Sequence, residues 1–180
     1  MKNPSTRKIV LVALMSAISI VLYAFEIPMP FPGASYLKFD LSDVPAVVTG
    51  IVAGPLYGIA VELVKNIIHA FTMSKEGIVG EFANFAYGFC FVLPVAFLYK
   101  KKGIRSLLGF GLSILVSTVA MYFINLYITF PLYYPNGFDA TVTRLLLTAF
   151  TPFNLVKGVI VSISVFLVMK SLGRYLEHLK

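Results

Sequence analysis

The sequence contains no tryptophan, a single cysteine and two histidines, and only 13% of its 180 residues are charged. A lone thiol, Cys90, cannot close an intrachain disulfide, and no second Cys or His lies near enough for metal-ligand spacing. Inside a hydrophobic run it reads as a small core residue. His69 and His178 leave little for acid–base or metal work. Also absent are a Gly-x-Ser-x-Gly elbow, a His-Glu-x-x-His pair, a P-loop and a Gly-x-Gly-x-x-Gly turn, so no hydrolase, zinc-protease or nucleotide-binding template applies. The chain is therefore expected not to be an enzyme, to hold no metal or cofactor, and not to use ATP itself.

What the chain has in abundance is apolar surface. Hydrophobic residues make up 58% of it and the mean hydropathy is +0.87, against roughly 45–50% apolar and about 25% charged in soluble domains. This predicts an all-α integral membrane protein of one domain, residues 1–180. A span needs about 20 residues at ~1.5 Å each to cross a ~30 Å core, and the runs fall at 9–25, 56–72, 77–99, 106–130 and 141–169. The first run is followed by Glu26-Ile27-Pro28-Met29-Pro30 rather than a small-residue cleavage context, so it is expected to remain as a helix. Three prolines give residues 26–43 the character of an ordered connector. Gly54-Pro55 should break the next apolar stretch, leaving a short second helix over 43–53, capped by Asp40, Ser42 or Asp43 with Pro45 in an early turn.

The net charge of +7 is a topology signal rather than a nucleic-acid footprint. Ten of the fifteen cations flank hydrophobic ends: Lys2, Arg7, Lys8, Lys100, Lys101, Lys102, Arg105, Lys170, Arg174 and Lys180. By the positive-inside rule they mark the cytoplasmic side. Six crossings satisfy that pattern, with both termini in the cytoplasm of a bacterial cell and the chain multi-pass in its plasma membrane; five crossings do not, and a re-entrant hairpin over 43–72 stays open.

In such a chain every polar group within a span is a candidate, because an ionisable side chain at mid-membrane costs ~2.5–3.5 kcal/mol on insertion scales. The stretch Tyr36-Leu37-Lys38-Phe39-Asp40-Leu41-Ser42-Asp43-Val44-Pro45 gathers two carboxylates, a lysine and two aromatics between apolar runs, and reads as a segment closing over a small planar ligand. In the third helix Glu62, Lys65, Asn66 and His69 share one face by i, i+3, i+4, i+7 spacing; a neutralised cluster that holds helices together competes there with a functional one. The fourth helix carries Glu81, shallow enough to reach the interface, and Asn84 deeper in. The fifth carries Asn125 and the sixth Asn154 and Lys157. Lys157 lies about 13 residues from Arg144, or ~20 Å, too deep to snorkel, so it should face a cavity or a carboxylate. Three amides and a lysine converging from three helices suit recognition of a heterocycle edge better than a reaction centre. Tyr127, Phe130, Tyr133, Tyr134 and Phe138 crowd the last outer loop, partly as an interface belt.

Together with Ala13-Leu14-Met15-Ser16-Ala17, Glu62-Leu63-Val64-Lys65-Asn66, Glu81-Phe82-Ala83-Asn84-Phe85 and Asn154-Leu155-Val156-Lys157, these segments resemble the substrate-binding S components of energy-coupling factor (ECF) vitamin transporters, above all the riboflavin-specific ones. The resemblance covers nearly the whole chain. It implies a six-helix subunit that captures riboflavin from outside and works with a transmembrane coupling subunit and two cytoplasmic ATPases. It assigns Ala13 and Ala17 to the coupling-subunit interface. It also places the vitamin among the first outer loop and helices four to six, where Asn125, Asn154 and Lys157 would bond the ring or ribityl chain and Leu37, Asp40, Glu81 and Asn84 would complete the site. Tyr36, Phe39 and Tyr127 would serve as walls, since a flavin needs apolar faces plus a few polar groups. Riboflavin would be cargo rather than cofactor, with flavin mononucleotide left open as a second ligand. The lack of tryptophan departs from members whose sites use one and disfavours thiamine. The competing readings are an S component for another vitamin or nucleobase-like compound, and a membrane enzyme or assembly factor using Glu62, Lys65 and His69.

Overall fold

Helix formation begins earlier than hydropathy alone suggests. In the computed structural model, which describes residues 4–31, 34, 37–99 and 104–176, the first helix, α1, spans Pro4–Tyr23 and includes Arg7 and Lys8 in its opening turns. The connector after it pairs two short strands, β1 (Ile27–Pro28) and β2 (Lys38–Phe39), antiparallel with Ile27 opposite Phe39. The Gly54-Pro55 break falls where the sequence places it. Gly54 takes φ 117°, a backbone that L side chains rarely adopt, and it separates α2 (Asp43–Ala53) from α3 (Pro55–Thr72), with Pro55 in the first turn of α3. Ser42 holds the N-cap position of α2 without a capping bond from its side chain; Asp40 Oδ1 instead accepts from Ser42 N at 2.7 Å.

Next come α4 (Gly77–Leu98) and α5 (Ile104–Ile124). Helix α5 runs on through a π-turn, Asn125–Thr129, into α6 (Phe130–Tyr133). The last rod repeats this design: α7 (Ala140–Leu145), a π-turn Leu146–Phe150, then α8 (Thr151–Leu176). Asp139 caps α7 by accepting from the backbone of Thr141 and Val142, each at 3.0 Å. Those bonds, Val142's foremost, hold its carboxyl below the ordinary carboxylate range.

Among the described residues four stretches are long and apolar enough to cross a membrane: Thr6–Tyr23, Gly77–Leu98, Ser106–Tyr133 and Ala140–Ser171. Helices α2 and α3 depart from that type for different reasons. All of α2 except Ile51 is buried, because it is wrapped by α1, α3, α4 and α8. A helix with no face toward lipid need not match the hydrocarbon thickness. Helix α3 lays Val61, Glu62, Lys65, Asn66 and His69 inward and presents Leu63, Ile67, Ile68 and Phe71 outward, an amphipathic pattern facing the bundle.

Two apolar clusters result among the described residues. One, including Val47, Val61, Phe91, Val92, Val95, Val161 and Val165, fills the body of the bundle. The other, built of Ala34, Leu37, Phe130, Leu146, Ala149, Phe150 and Phe153, sits under the β1–β2 connector.

Candidate functional site

Residues of both clusters wall a cavity of about 430 Å³, which lies in the usual range for a small-molecule pocket, roughly 300–1,000 Å³. Leu37, Phe130, Phe150 and Phe153 supply apolar walls from one cluster, and Tyr87 and Met121 from the other. The polar groups on its surface come from every part of the chain: Asp40 before α2, Glu81 and Asn84 on α4, Asn125 and Thr129 on the first π-turn, and Asn154 and Lys157 on α8.

Lys157 is the hub of the floor. Its Nζ donates to Asn84 Oδ1 at 2.9 Å and lies 3.0 Å from Asp43 Oδ2 and 3.6 Å from Asp40 Oδ2. The expectation that it faces a cavity or a carboxylate is met on both counts. Asn84 Nδ2 donates in turn to the Tyr23 hydroxyl at 2.7 Å, Tyr23 donates to Glu81 Oε2 at 3.0 Å, and His69 Nδ1 meets Glu81 Oε1 at 2.8 Å. The Tyr23 ring stacks on His69 with centroids 3.6 Å apart. Glu81 is thus not the interfacial residue its position suggests: it is 5% exposed, because Tyr23 and His69 satisfy its carboxylate inside the protein.

Behind this floor lies a second ionic group. Lys65 pairs with Asp43, accepts company from Glu62 Oε2 at 2.9 Å, and donates to Ser42 Oγ at 2.8 Å. Neither Lys65 nor Glu62 has exposed side-chain surface. A Cβ at position 88 would come within 2.4 Å of the Glu62 carboxyl group, so Gly88 makes the space that this acid occupies. The shared face read from the sequence of α3 is therefore an internal neutralised cluster that fastens α3 to α2. Among the described residues no three His, Cys, Asp or Glu side chains are grouped so as to hold a metal.

Asn125 is different. It is 1% exposed, yet neither atom of its amide has a hydrogen-bond partner, and the Thr129 hydroxyl one π-turn on is likewise unpaired. Nearly all buried polar groups are bonded. An orphaned amide and hydroxyl on a cavity wall are donors and acceptors in wait for a ligand. π-turns recur at functional sites, and here the wide turn brings Asn125 and Thr129 to the same wall.

At the mouth, Lys38 on β2 bridges Glu26 at 2.7 Å and Glu76 at 2.8 Å, and the Tyr133 hydroxyl donates to the Glu76 carbonyl at 2.8 Å. Partial burial works against the lysine's charge, but the hydrogen bonds to Glu26 and Glu76 outweigh it, raising its pKa above the ordinary 10.5. The stability this lends is complete below the ordinary value and is lost only as pH rises through the higher folded one, so the bridge stands at neutral pH.

Of the residues singled out in the sequence, Leu37, Asp40, Glu81, Asn84, Asn125, Asn154 and Lys157 line one cavity. Tyr36 lies outside the described residues. Phe39 does not reach the cavity and packs at the edge of the outer apolar cluster. Tyr127 is a correction: it is 70% exposed and stacks on Phe123, because two residues of helix carry it to the face opposite Asn125. Sequence reasoning missed Tyr23, Thr129, Phe150 and Phe153. For the last two a signal was available, since Phe150, Phe153, Asn154 and Lys157 follow i, i+3, i+4, i+7. Ala13 and Ala17 are both exposed, one turn apart on α1.

Residues 7–169 match the family model described as ECF transporter, substrate-specific component. The chain is 36% identical to the riboflavin transporter FmnP of Bacillus subtilis, covering 96% of this chain and 95% of that protein. It is 32% identical to the riboflavin transporter RibU of Staphylococcus aureus, over 96% and 94% of the two. Its fold superposes on the solved S component of a bacterial ECF transporter with a TM-score of 0.81 at 31% identity, covering 96% of this chain and 99% of that one.

Proposed function

This chain belongs to the substrate-specific components of ECF transporters, and from that membership we propose that it captures riboflavin in the cavity beneath the β1–β2 connector and hands it on for uptake. The family is one of transport subunits, not of enzymes. The observation that carries the reading is the orphaned amide of Asn125 in a pocket walled by Leu37, Met121, Phe130, Phe150 and Phe153. An isoalloxazine ring offers flat apolar faces for such walls and an edge of carbonyls and ring nitrogens for amides. Asn154 and Thr129 complete the polar wall, while Lys157, Asn84 and Glu81 hold one another in place and present a set, rigid floor.

The bilayer topology proposed with it has six crossings, both termini in the cytoplasm and the cavity mouth outward, in a bacterial cell membrane. The basic ends of the chain support that orientation. Riboflavin added to right-side-out vesicles should be bound, with its fluorescence quenched at one molecule per chain, and inside-out vesicles should not respond. Quenching only in inside-out vesicles would reverse the topology, and quenching in neither would end the riboflavin reading.

A coupling subunit and two cytoplasmic ATPases are the partners proposed, with Ala13 and Ala17 at the docking face. Both lack side-chain bulk on an exposed stripe of α1, which lets another helix approach closely. Ala17→Leu should leave riboflavin affinity within about twofold, far short of the ~1.4 kcal/mol of a tenfold change, while abolishing ATP-driven uptake. Normal uptake by this variant would remove Ala17 from the interface.

A further inference from the structure

The floor of the cavity has a hydrogen-bond polarity fixed from both ends. An ammonium only donates and a carboxylate only accepts. Lys157 at one end therefore obliges Asn84 to offer its carbonyl, at 2.9 Å, which turns the amide nitrogen away toward the Tyr23 oxygen, at 2.7 Å. Glu81 at the other end obliges the Tyr23 hydroxyl to donate, at 3.0 Å, which leaves its lone pairs for Asn84. One phenol oxygen is thus the joint between an amide that must be oriented and a carboxylate that must be held. The ring that carries this oxygen has its own anchors: it stacks on His69 with the planes 8° apart, and the Lys65 ammonium stands 5.6 Å from its centroid. Tyr87 and Tyr133, which share the cavity surface, direct their hydroxyls to backbone carbonyls instead, those of Asn154 and Glu76.

On the reading that this cavity receives riboflavin, we infer that Tyr23 is a positioning residue for capture, acting through Asn84 and Glu81 rather than on the ligand. Tyr23 ends α1, whereas Asn84 and Glu81 sit on α4, His69 on α3 and Lys157 on α8. Its hydroxyl therefore sets polar groups of separate helices in one arrangement before a ligand arrives. Without that oxygen the Asn84 amide nitrogen and one Glu81 oxygen lose a partner together. Asn84 then keeps only the bond from Lys157 to its carbonyl, and Glu81 keeps only His69. Ordering these groups falls on the binding step, and a site that its ligand must order holds that ligand more weakly. Neither bond involves the ring, so phenylalanine at this position keeps the stack on His69 and isolates the contribution of the oxygen.

The test is a double-mutant cycle on the purified full chain, with riboflavin affinity read by fluorescence titration and the melting temperature of the ligand-free protein read alongside. Tyr23→Phe should weaken binding about tenfold, the effect of one lost hydrogen bond to a charged group. Asn84→Ala removes one of the two groups through which Tyr23 acts, so in that background the same substitution should cost no more than about threefold, the remainder passing through Glu81. Glu81→Ala is the second background, with the same expectation, and serves if Asn84→Ala does not fold. A loss undiminished in these backgrounds would make Tyr23 a direct ligand contact, and native affinity in Tyr23→Phe, whatever its melting temperature, would leave it a structural residue. Either result would overturn the inference while leaving the riboflavin site intact. Absence of riboflavin binding by the native chain would instead remove the reading on which it rests.

Discussion

Asn125→Ala should weaken riboflavin binding by about 1–3 kcal/mol, roughly five- to 150-fold in Kd, while the melting temperature of the ligand-free protein stays unchanged or rises. The split between the two readouts is the point. A buried side chain with internal partners would cost stability when truncated, but Asn125 has none within the protein, so its removal relieves an unpaid desolvation in the empty state and costs only in the occupied one. Isothermal titration and a detergent thermal melt on the same preparation check both halves. Unaltered affinity with a lowered melting temperature would make Asn125 a structural residue.

The largest loss of stability is expected from Lys65→Met. This lysine has no exposed surface and stands between Asp43 and Glu62; taking it away strands carboxylate charge in the interior, and breaking a buried pair in this manner costs about 3–5 kcal/mol. Adding Glu62→Gln should recover much of that, because Asp43 keeps Lys157 at 3.0 Å and position 62 then carries no charge to strand. Thermal unfolding of the single and double variants in detergent measures the coupling. Should the double variant be no more stable than the single, the charge-balance account of this cluster fails.

The parts of the molecule legible in its sequence were those where chemistry stands out against an apolar background. Gly54-Pro55 marked a helix boundary because φ preferences are local. Lys157, Asn84, Asn125 and Asn154 stood out because polar groups in a membrane span need a reason, and they line one cavity. Phe150 and Phe153 did not, since an aromatic residue facing lipid and one facing a ligand look alike in composition. The burial of Glu81 was hidden for another reason: its partners Tyr23 and His69 come from two other helices, and only tertiary packing brings them together. Tyr127 failed on helical phase, having the right chemistry on the wrong side.

The two π-turns hold a consequence that hydropathy cannot register. In each, the amide after the turn bonds a carbonyl five residues back, Phe130 to Asn125 and Thr151 to Leu146, so each winds one surplus residue into the rod. Wound as an ordinary helix without the wide turn, the same residues would keep the greasiness of the segment, yet Phe130 and everything beyond it would swing by about 100° about the axis. A one-codon deletion within the turn would remove the surplus residue and leave Phe130 on its present face, so two windings that look alike to the membrane differ in which side chains they turn to the cavity.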